Sequence, residues 1–249
     1  MTTKFLKIIL IVSVIIFIAA YFKKDGFPNK TDILDDIYTP PLQTKVSMDA
    51  FDIEVEDMVY TIQPLYNYEL FGMIVSQHYC GTWWDVYHHD LWKDFINIKD
   101  LCVVWGENIE TEVYKDMEFS SNSWTCNYRW PNAGVKSRFC KTCLSNNHIL
   151  SESKGINNKL MDTEIGDQIY LKGYLAQYSH SNNAFTRGTS TTRTDTGNGA
   201  CETIYIEDYE ILKRANPLWR TLYKLSKYII LLCLLLMLII FVFSKSDPR

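Results

Sequence analysis

Two long apolar segments frame the chain. Phe5 to Phe22 contains a single lysine, and Tyr228 to Phe243 contains no charged residue. Eighteen helical residues at about 1.5 Å each span roughly 27 Å, which is enough to cross a bilayer. The second segment reaches this length with the ten residues before it, whose basic side chains can extend to the interface. The pattern predicts transmembrane helices at 5–22 and 228–244. A cleaved signal peptide is the alternative for the first.

Between these segments, short apolar runs alternate with turn residues, as is typical of strands. One polar stretch, Ser145 to Met161, instead predicts one or two short helical turns carrying Ile149, Leu150, Ile156 and Leu160. The first strand-like run contains Pro64, which predicts a break in it. The predicted strands lie at Val59–Tyr79, Leu101–Trp105, Trp124–Trp130, Gly166–Ser179 and Glu202–Leu212.

The order of these elements is three strands, a helical connection, a fourth strand, a hairpin and a fifth strand. That order is typical of an OB-type barrel. We therefore predict a mainly β fold: a small OB-like β-barrel domain with one short helical connection, flanked by an N-terminal and a C-terminal transmembrane helix. A small β-sandwich or an SH3-like barrel is the alternative. The predicted divisions are a polar linker at 23–51, the domain at 52–212 and a basic juxtamembrane segment at 213–227.

The run TRGTSTTRTDTGNGAC, Thr186 to Cys201, lies between the last two strands and contains no large apolar side chain. If extended, it places its odd-numbered polar residues on one face, and its glycines supply a turn. It is either a solvated hairpin, in which Arg193 and Asp195 neutralise each other, or a binding arm whose arginines hold a carboxylate or phosphate. The predicted ligand-binding residues are Arg187, Thr189, Thr191, Arg193, Asp195 and Asn198.

The net charge of the chain restricts the classes of partner that it can bind. The 249 residues suit one domain of ordinary size, and the whole chain has a net charge of −4. From Asp52 to Leu212, 23 acidic residues stand against 12 basic ones, a net charge of −11. Such a surface repels phosphate backbones, so general nucleic-acid binding is not predicted. The predicted partners are the lipid bilayer, touched by the basic segment, and an envelope protein or a small anionic ligand.

The stretch Trp83 to Phe95 has the periodicity of a helix with one apolar stripe, on which His88 would pack. On the other face, Asp85 and His89 stand one turn apart, at a spacing that suits two metal ligands. A third ligand is missing nearby, so a solvated charged face is favoured and no metal site is predicted here.

Six cysteines lie outside the apolar segments, and Cys233 lies inside the second. Cys140 and Cys143 form a CxxC pair, which with His148 makes half of a zinc site. In an exported domain, disulfides or buried thiols are the simpler use of these residues, although the pairing is open.

Motifs of catalysis are absent from the sequence: there is no G-x-S-x-G, H-E-x-x-H, Walker or dinucleotide pattern. A nuclease or hydrolase on an OB barrel would combine arginine with carboxylates, and Arg187, Arg193, Asp195 and Glu202 supply those types. No catalytic residue and no cofactor is predicted.

Segments DLCVVWGENI, WTCNY, LSNNHIL, GDQIYLKGYLAQYS and RGTSTTRTDTGNGACETIYIEDYEIL resemble an uncharacterised family of bacterial membrane-anchored proteins. The resemblance covers nearly the whole chain and implies a bacterial inner membrane, but it brings no activity. The family pattern includes Cys102, Cys126 and Cys201, while Cys80, Cys140 and Cys143 depart from it.

The side of the membrane depends on two opposed arguments. Basic residues flank the membrane mainly on the domain side, which favours a cytoplasmic domain, but the rule is weak for loops beyond about 60 residues. The anchor-like start and the cysteines favour a periplasmic domain. We predict a two-pass protein with a periplasmic domain that acts as a membrane-tethered binding or assembly module of the envelope. The alternative is an envelope hydrolase or nuclease using the 186–201 loop.

Overall fold

The computed structural model of the chain describes residues 2–81, 91–181, 185–197 and 199–244. The chain divides into two compact units. One contains the terminal helices, up to Gly26 and from Ala215 onward, and the other is a β-rich domain, Phe27–Arg214.

Strands dominate the β-rich domain, and helices dominate the termini. The helices are α1 Thr2–Lys23, α2 Glu107–Glu110, α3 Ala133–Arg138, α4 Lys154–Met161 and α5 Pro217–Ser244. The strands are β1 Leu42–Lys45, β2 Phe51–Val55, β3 Met58–Tyr79, β4 Asn97–Val104, β5 Glu118–Ser121, β6 Cys126–Arg129, β7 Leu144–Leu150, β8 Gln168–His180, β9 Thr186–Arg187 and β10 Glu202–Lys213. Short 3₁₀ turns lie at Lys30–Asp32, Asp35–Tyr38, Val113–Asp116 and Lys141–Cys143.

Five strands pair in a closed ring. The long strand β3 pairs antiparallel with both β4 and β8. Strand β4 pairs with β7, β7 runs parallel to β10, and β10 pairs antiparallel with β8. Strands β1 and β2 add to β3, and β9 adds to β8. The mainly β prediction is therefore confirmed, in the form of a sheet ring.

Strand pleating gives the ring two apolar surfaces. One cluster takes side chains from all five ring strands, including Leu101 and Val103 of β4, and therefore lies inside the ring. The alternate residues Cys102 and Val104 belong to a second cluster outside it. All four side chains are fully buried, so the prediction of a strand covered on both faces at Leu101–Trp105 is confirmed.

The predicted polar linker at 23–51 is instead largely part of the domain. Phe27, Ile33 and Ile37 pack on the outer cluster beside Met73 of β3. Further along, Leu42 pairs with Glu69 as β1 joins the edge of β3. The sequence did not indicate this packing, because the apolar residues of the segment are scattered. The outer face that they cover exists only once β3 and β4 have paired.

The predicted break at Pro64 was wrong. Strand β3 continues through Pro64, which lies at a register shift against β8. The bulge leaves Leu65 outside the ladder directly after Pro64, and such irregular positions tolerate the missing N–H of proline.

The predicted helical turns over Ser145–Met161 were half wrong. The first half is β7, a strand buried along nearly its whole length, and only Lys154–Met161 is helical. Ser153 caps that helix by accepting a hydrogen bond from the N–H of Ile156. The polar run SNNH was predicted as helical, but its side chains bond one another once β4 and β10 lie on either side.

The predicted strand at Trp124–Trp130 is present as β6, but it lies outside the ring. It pairs only with β5, in a separate two-stranded hairpin. A disulfide between Cys126 and Cys102 joins this hairpin to β4.

Two helices are long and apolar enough to cross a membrane, Thr3–Lys23 and Pro217–Phe243. They pack against each other within their own unit, with the rings of Phe17 and Tyr223 stacked at a centroid distance of 4.9 Å. Lys23 lies 4.9 Å from the ring centre of Trp219. Much of the predicted basic segment at 213–227 is therefore the beginning of α5.

We expect Gly173→Ala to destabilise the ring. A Cβ at this position would overlap the carbonyl oxygen of Tyr205 and come within 2.9 Å of the Cα of Ile206, both on the neighbouring strand β10. Backbone atoms of a paired strand cannot move aside, so the free energy of unfolding should fall by about 2 to 3 kcal/mol. Gly188→Ala is the control, because nothing lies within 4 Å of its added methyl. Denaturant unfolding of the full chain in detergent measures both variants. Equal losses of stability for Gly173→Ala and Gly188→Ala would contradict this prediction.

Candidate functional site

A cleft lies on the outer face of strands β4, β7 and β10. In the register, Asp100 of β4 pairs with His148 of β7, and His148 pairs with Thr203 of β10. Cys102 similarly pairs with Asn146. Pleating places these side chains opposite to Leu101, which points into the ring. The outer face of three strands thus carries a row of polar groups.

Two segments form the walls of this cleft. The β5–β6 hairpin supplies Trp124 and Thr125 from its loop and Tyr128 from β6, and the described residues of the 186–201 arm form the opposite wall. The enclosed volume is about 640 Å³. Hydroxyl groups, glycines and one aromatic wall therefore surround a space of small-ligand size.

His148 is the centre of a buried polar network at the base of the cleft. Its Nδ1 lies 2.6 Å from Oδ1 of Asp100, and both side chains are almost completely buried. Its Nε2 lies 2.6 Å from Nη2 of Arg187. Because a guanidinium offers only donors, Nε2 must accept and Nδ1–H must donate to the carboxylate.

The network at the base of the cleft has no surplus positive charge. Burial lowers the pKa of His148, so the imidazole is neutral. Burial alone would raise the pKa of Asp100, but the interactions with His148 and Arg187 hold it below its usual value. Arg187 also lies 3.9 Å from Asp94 and sits 4.6 Å from the ring centre of Trp124. One guanidinium thus faces two carboxylates, and the base of the cleft offers no surplus positive charge.

After β9, the described residues of the arm form a loop rather than an extended hairpin, which corrects the alternating pattern expected for it. The hydroxyl of Ser190 donates to Asp195, at 2.6 Å. Thr189 accepts from the N–H of Thr203, whose own hydroxyl donates to the carbonyl of Gly188. Side-chain hydroxyls here bond nearby backbone and side-chain groups, in competition with a ladder of backbone bonds.

The side chain of Arg193 lies outside the cleft, at one end of the ring. Its Nη1 lies 2.7 Å from Glu202 and 3.2 Å from the hydroxyl of Tyr68. The guanidinium also lies 5.4 Å from the ring centre of Trp105. Arg193 is therefore paired with Glu202 rather than with Asp195, the partner that the sequence pattern indicated.

The structure divides the predicted ligand-binding residues. Arg187, Thr189 and Asp195 line the cleft. The carbonyl oxygen of Thr191 accepts a hydrogen bond from the side-chain amide of Gln43. Arg193 lies at the end of the ring, where it pairs with Glu202. Asn198 lies outside the described residues. The predicted grip of both arginines on an anion is not available in this arrangement, because each already contacts carboxylates of the domain.

The four residues named for a hydrolase or nuclease are divided in the same way. Arg187 and Asp195 face the cleft, whereas Arg193 and Glu202 form an ion pair at the end of the ring. The Asp85–His89 pair and most of the predicted 83–95 helix lie outside the described residues.

Cys201 is the free thiol of the cleft, and it accepts a hydrogen bond from Asn146 at 3.5 Å. Burial raises the pKa of Cys201, so the thiol stays protonated at neutral pH. Nucleophilic catalysis needs the thiolate, which this environment disfavours.

Comparisons with family models, with curated proteins and with solved structures find no match for this chain. The resemblance to bacterial membrane-anchored proteins stays a prediction. Function is therefore argued from the cleft itself.

Sequence reasoning missed most of the cleft. Asp100, Trp124 and Asn146 were not singled out, and His148 was considered only as a partner for the CxxC cysteines. The signal was present in LSNNHIL, where four consecutive polar residues, all of which proved to be buried, are flanked by apolar ones. Polar residues inside a strand flanked by apolar ones indicate a satisfied polar network.

We expect Glu202→Gln to change how stability depends on pH. Burial raises the pKa of Glu202 to about 7 from its ordinary 4.5, although Arg193 opposes this. Between these values the folded chain holds a proton that the unfolded chain has lost, so this contribution to stability falls as pH rises through that window. The stability of Glu202→Gln relative to wild type should increase by about 2 to 3 kcal/mol from pH 5 to pH 8.

The exposed Glu207→Gln, on the same strand, is the matched control, because it removes a carboxylate of the surface and leaves the buried pair unchanged. Denaturant unfolding at several pH values measures both variants. A pH-independent difference for Glu202→Gln would contradict the assignment.

Proposed function

We propose that this chain is a membrane-tethered binding module whose cleft takes an uncharged, hydroxyl-rich ligand, such as a segment of a glycan in the cell envelope. The observation that carries the proposal is that the base of the cleft has no surplus positive charge. Arg187 faces both Asp94 and Asp100, and the other charged residues of the lining, Lys141 and Asp195, are one of each sign. The remaining groups of the lining are hydroxyls, amides and an aromatic wall.

The remaining hydrogen-bonding capacity supports this ligand class. Oδ1 of Asn146 is buried at the cleft and has no hydrogen-bond partner among the described residues, so it can accept from a ligand hydroxyl. Thr125, Thr186 and Thr196 line the exposed rim and both donate and accept. Trp124 offers an apolar surface to a ring. Sugars combine dense hydroxyl groups with apolar ring faces.

The position of the cleft supports the same conclusion. We propose that the ring is OB-like, because α4 connects its third and fourth strands, although the third strand is β7 rather than the predicted Trp124–Trp130. OB domains bind oligonucleotides and oligosaccharides on the face of the second and third strands, beside the loop between the fourth and fifth. In this chain those elements are β4, β7 and the 186–201 arm. The net charge of −11 from Asp52 to Leu212 disfavours the oligonucleotide.

We expect the full-length chain in detergent to bind neutral oligosaccharides of N-acetylated hexosamines saturably. Trp124→Phe and Thr196→Val should weaken binding roughly three- to tenfold, because each removes contact area or a hydrogen bond at the cleft. Trp130→Phe is the matched control, since Trp130 does not line the cleft. Titration calorimetry measures the affinities.

The ligand class is contradicted if only inorganic phosphate or an oligonucleotide binds. If the ligand binds outside this cleft, Trp124→Phe and Trp130→Phe should bind it with equal affinity.

We infer that the domain faces the periplasm of a bacterial inner membrane. Two disulfide-bonded pairs, Cys102–Cys126 and Cys140–Cys143, support an oxidising compartment. A phosphatase that is active only outside the cytoplasm, fused after Arg214 where the β-rich unit ends, should therefore be active. Fluorescence from a reporter that matures only in the cytoplasm, fused at the same residue, would place the domain on the other side.

A further inference from the structure

The two disulfides of the domain constrain very different lengths of chain. Cys102 and Cys126 are 24 residues apart and join a ring strand to the β5–β6 hairpin. Cys140 and Cys143 are only three residues apart. A crosslink over so short a loop removes little entropy from the unfolded chain. Loop entropy therefore gives the second pair little stabilising role.

Asn108 holds the turn around the second pair independently of the sulfur atoms. Its Nδ2 donates to the carbonyl oxygens of Cys140 and Cys143, at 2.8 and 3.0 Å. Its Oδ1 accepts from the N–H of Cys140, at 2.9 Å. The backbone of the turn should stay in place when the disulfide opens, with both side chains still directed to the same point.

A carboxylate completes the cluster. Glu107 precedes Asn108 on α2, so the helix that fixes the turn also supplies the third group. One ligand atom from each of Glu107, Cys140 and Cys143 lies within 4.8 Å of the other two. Zinc bonds of about 2.3 Å to sulfur and 2.1 Å to oxygen imply tetrahedral edges of roughly 3.5 to 3.8 Å. The sulfur atoms would need to separate by about 2 Å or less from their bonded distance.

We propose that Glu107, Cys140 and Cys143 form a binding site for a thiophilic divalent cation such as Zn²⁺, which opens when the Cys140–Cys143 disulfide is reduced. A dithiol reductant gives two electrons and two protons to the disulfide and becomes a disulfide itself. Each cysteine thiol then loses its proton to solvent as it binds the cation. Disulfide and metal are thus mutually exclusive states of one turn.

The site differs from the zinc site that the sequence suggested. His148 is engaged by Asp100 and Arg187, so its place is taken by Glu107. Glu107 is exposed and both cysteines are half-buried, so a water molecule can fill the fourth position. Two thiolates and one carboxylate around a divalent cation leave one negative charge, and Lys141 lies in the same turn.

Cadmium is the probe for the test, because its bonds to thiolate absorb in the ultraviolet. The full-length chain in detergent is reduced with a phosphine, which takes up one water as it becomes the phosphine oxide, and is freed of reductant without air. We expect one Cd²⁺ per reduced chain with thiolate absorption and release of two protons. The oxidised chain should show neither.

Single variants distinguish this cluster from the other thiols. Cys140→Ser and Cys143→Ser should lose the absorption of the site, and Glu107→Gln should weaken Cd²⁺ binding about tenfold or more, as removal of a ligand does. Glu110→Gln, also exposed on α2, is the matched control and should bind as wild type. The Cys102→Ser, Cys126→Ser double variant should still take one equivalent.

Unchanged binding by Cys140→Ser or Glu107→Gln would overturn the proposal, as would failure of the reduced wild-type chain to take up Cd²⁺. Glu107→Gln keeps all cysteines, so it tests the site even if a cysteine variant folds poorly. Neither outcome bears on ligand binding in the cleft.

Discussion

The closure of the ring by β3 is the constraint on which the rest of the domain depends. One continuous strand pairs with β8 from Tyr60 to Met73 and with β4 from Met73 to Tyr79, so a single backbone closes the sheet. Once it is closed, pleating divides every strand into an inward and an outward set of side chains. A slip of one residue would exchange the two sets. The apolar interior and the polar row at the base of the cleft are therefore two results of one register.

The outward row shows how the domain uses buried charge. Asp100, His148 and Arg187 contact one another under the hairpin and the arm, although Oδ2 of Asp100 and Nη1 of Arg187 have no hydrogen-bond partner among the described residues. Such networks position side chains more firmly than they stabilise the fold. Here the network holds Arg187 against Trp124 and sets the wall of the cleft. The carboxylates of the network also offset the positive charge of Arg187, which is why we propose a neutral ligand rather than an anion.

The cleft and the CxxC turn meet at one residue. Lys141 lies between the two cysteines and also lines the cleft. Asn108 ties the turn to α2, and the N–H of Trp105, at the end of β4, donates to the carbonyl of Cys143. A change between disulfide, dithiol and metal-bound forms would therefore occur at the rim of the proposed ligand site, on a support that the ring keeps rigid. The acidic domain and its two apolar helices remain separate compact units of the chain.

The sequence by itself determined the elements with strong periodicity or length. The apolar runs at both ends predicted the terminal helices, and Leu101–Trp105, Gly166–Ser179 and Glu202–Leu212 predicted three of the ring strands, because local spacing decides which face of a strand can be buried. Only the tertiary structure decided the partners of the polar residues. Leu144–Leu150 is a strand because neighbours distant in the chain supply hydrogen-bond partners for Asn147 and His148, and Arg187 lies beside Asp94 although 93 positions separate them. The burial of a charged or amide group depends on which strands pair, and that information is not contained in any short window of sequence.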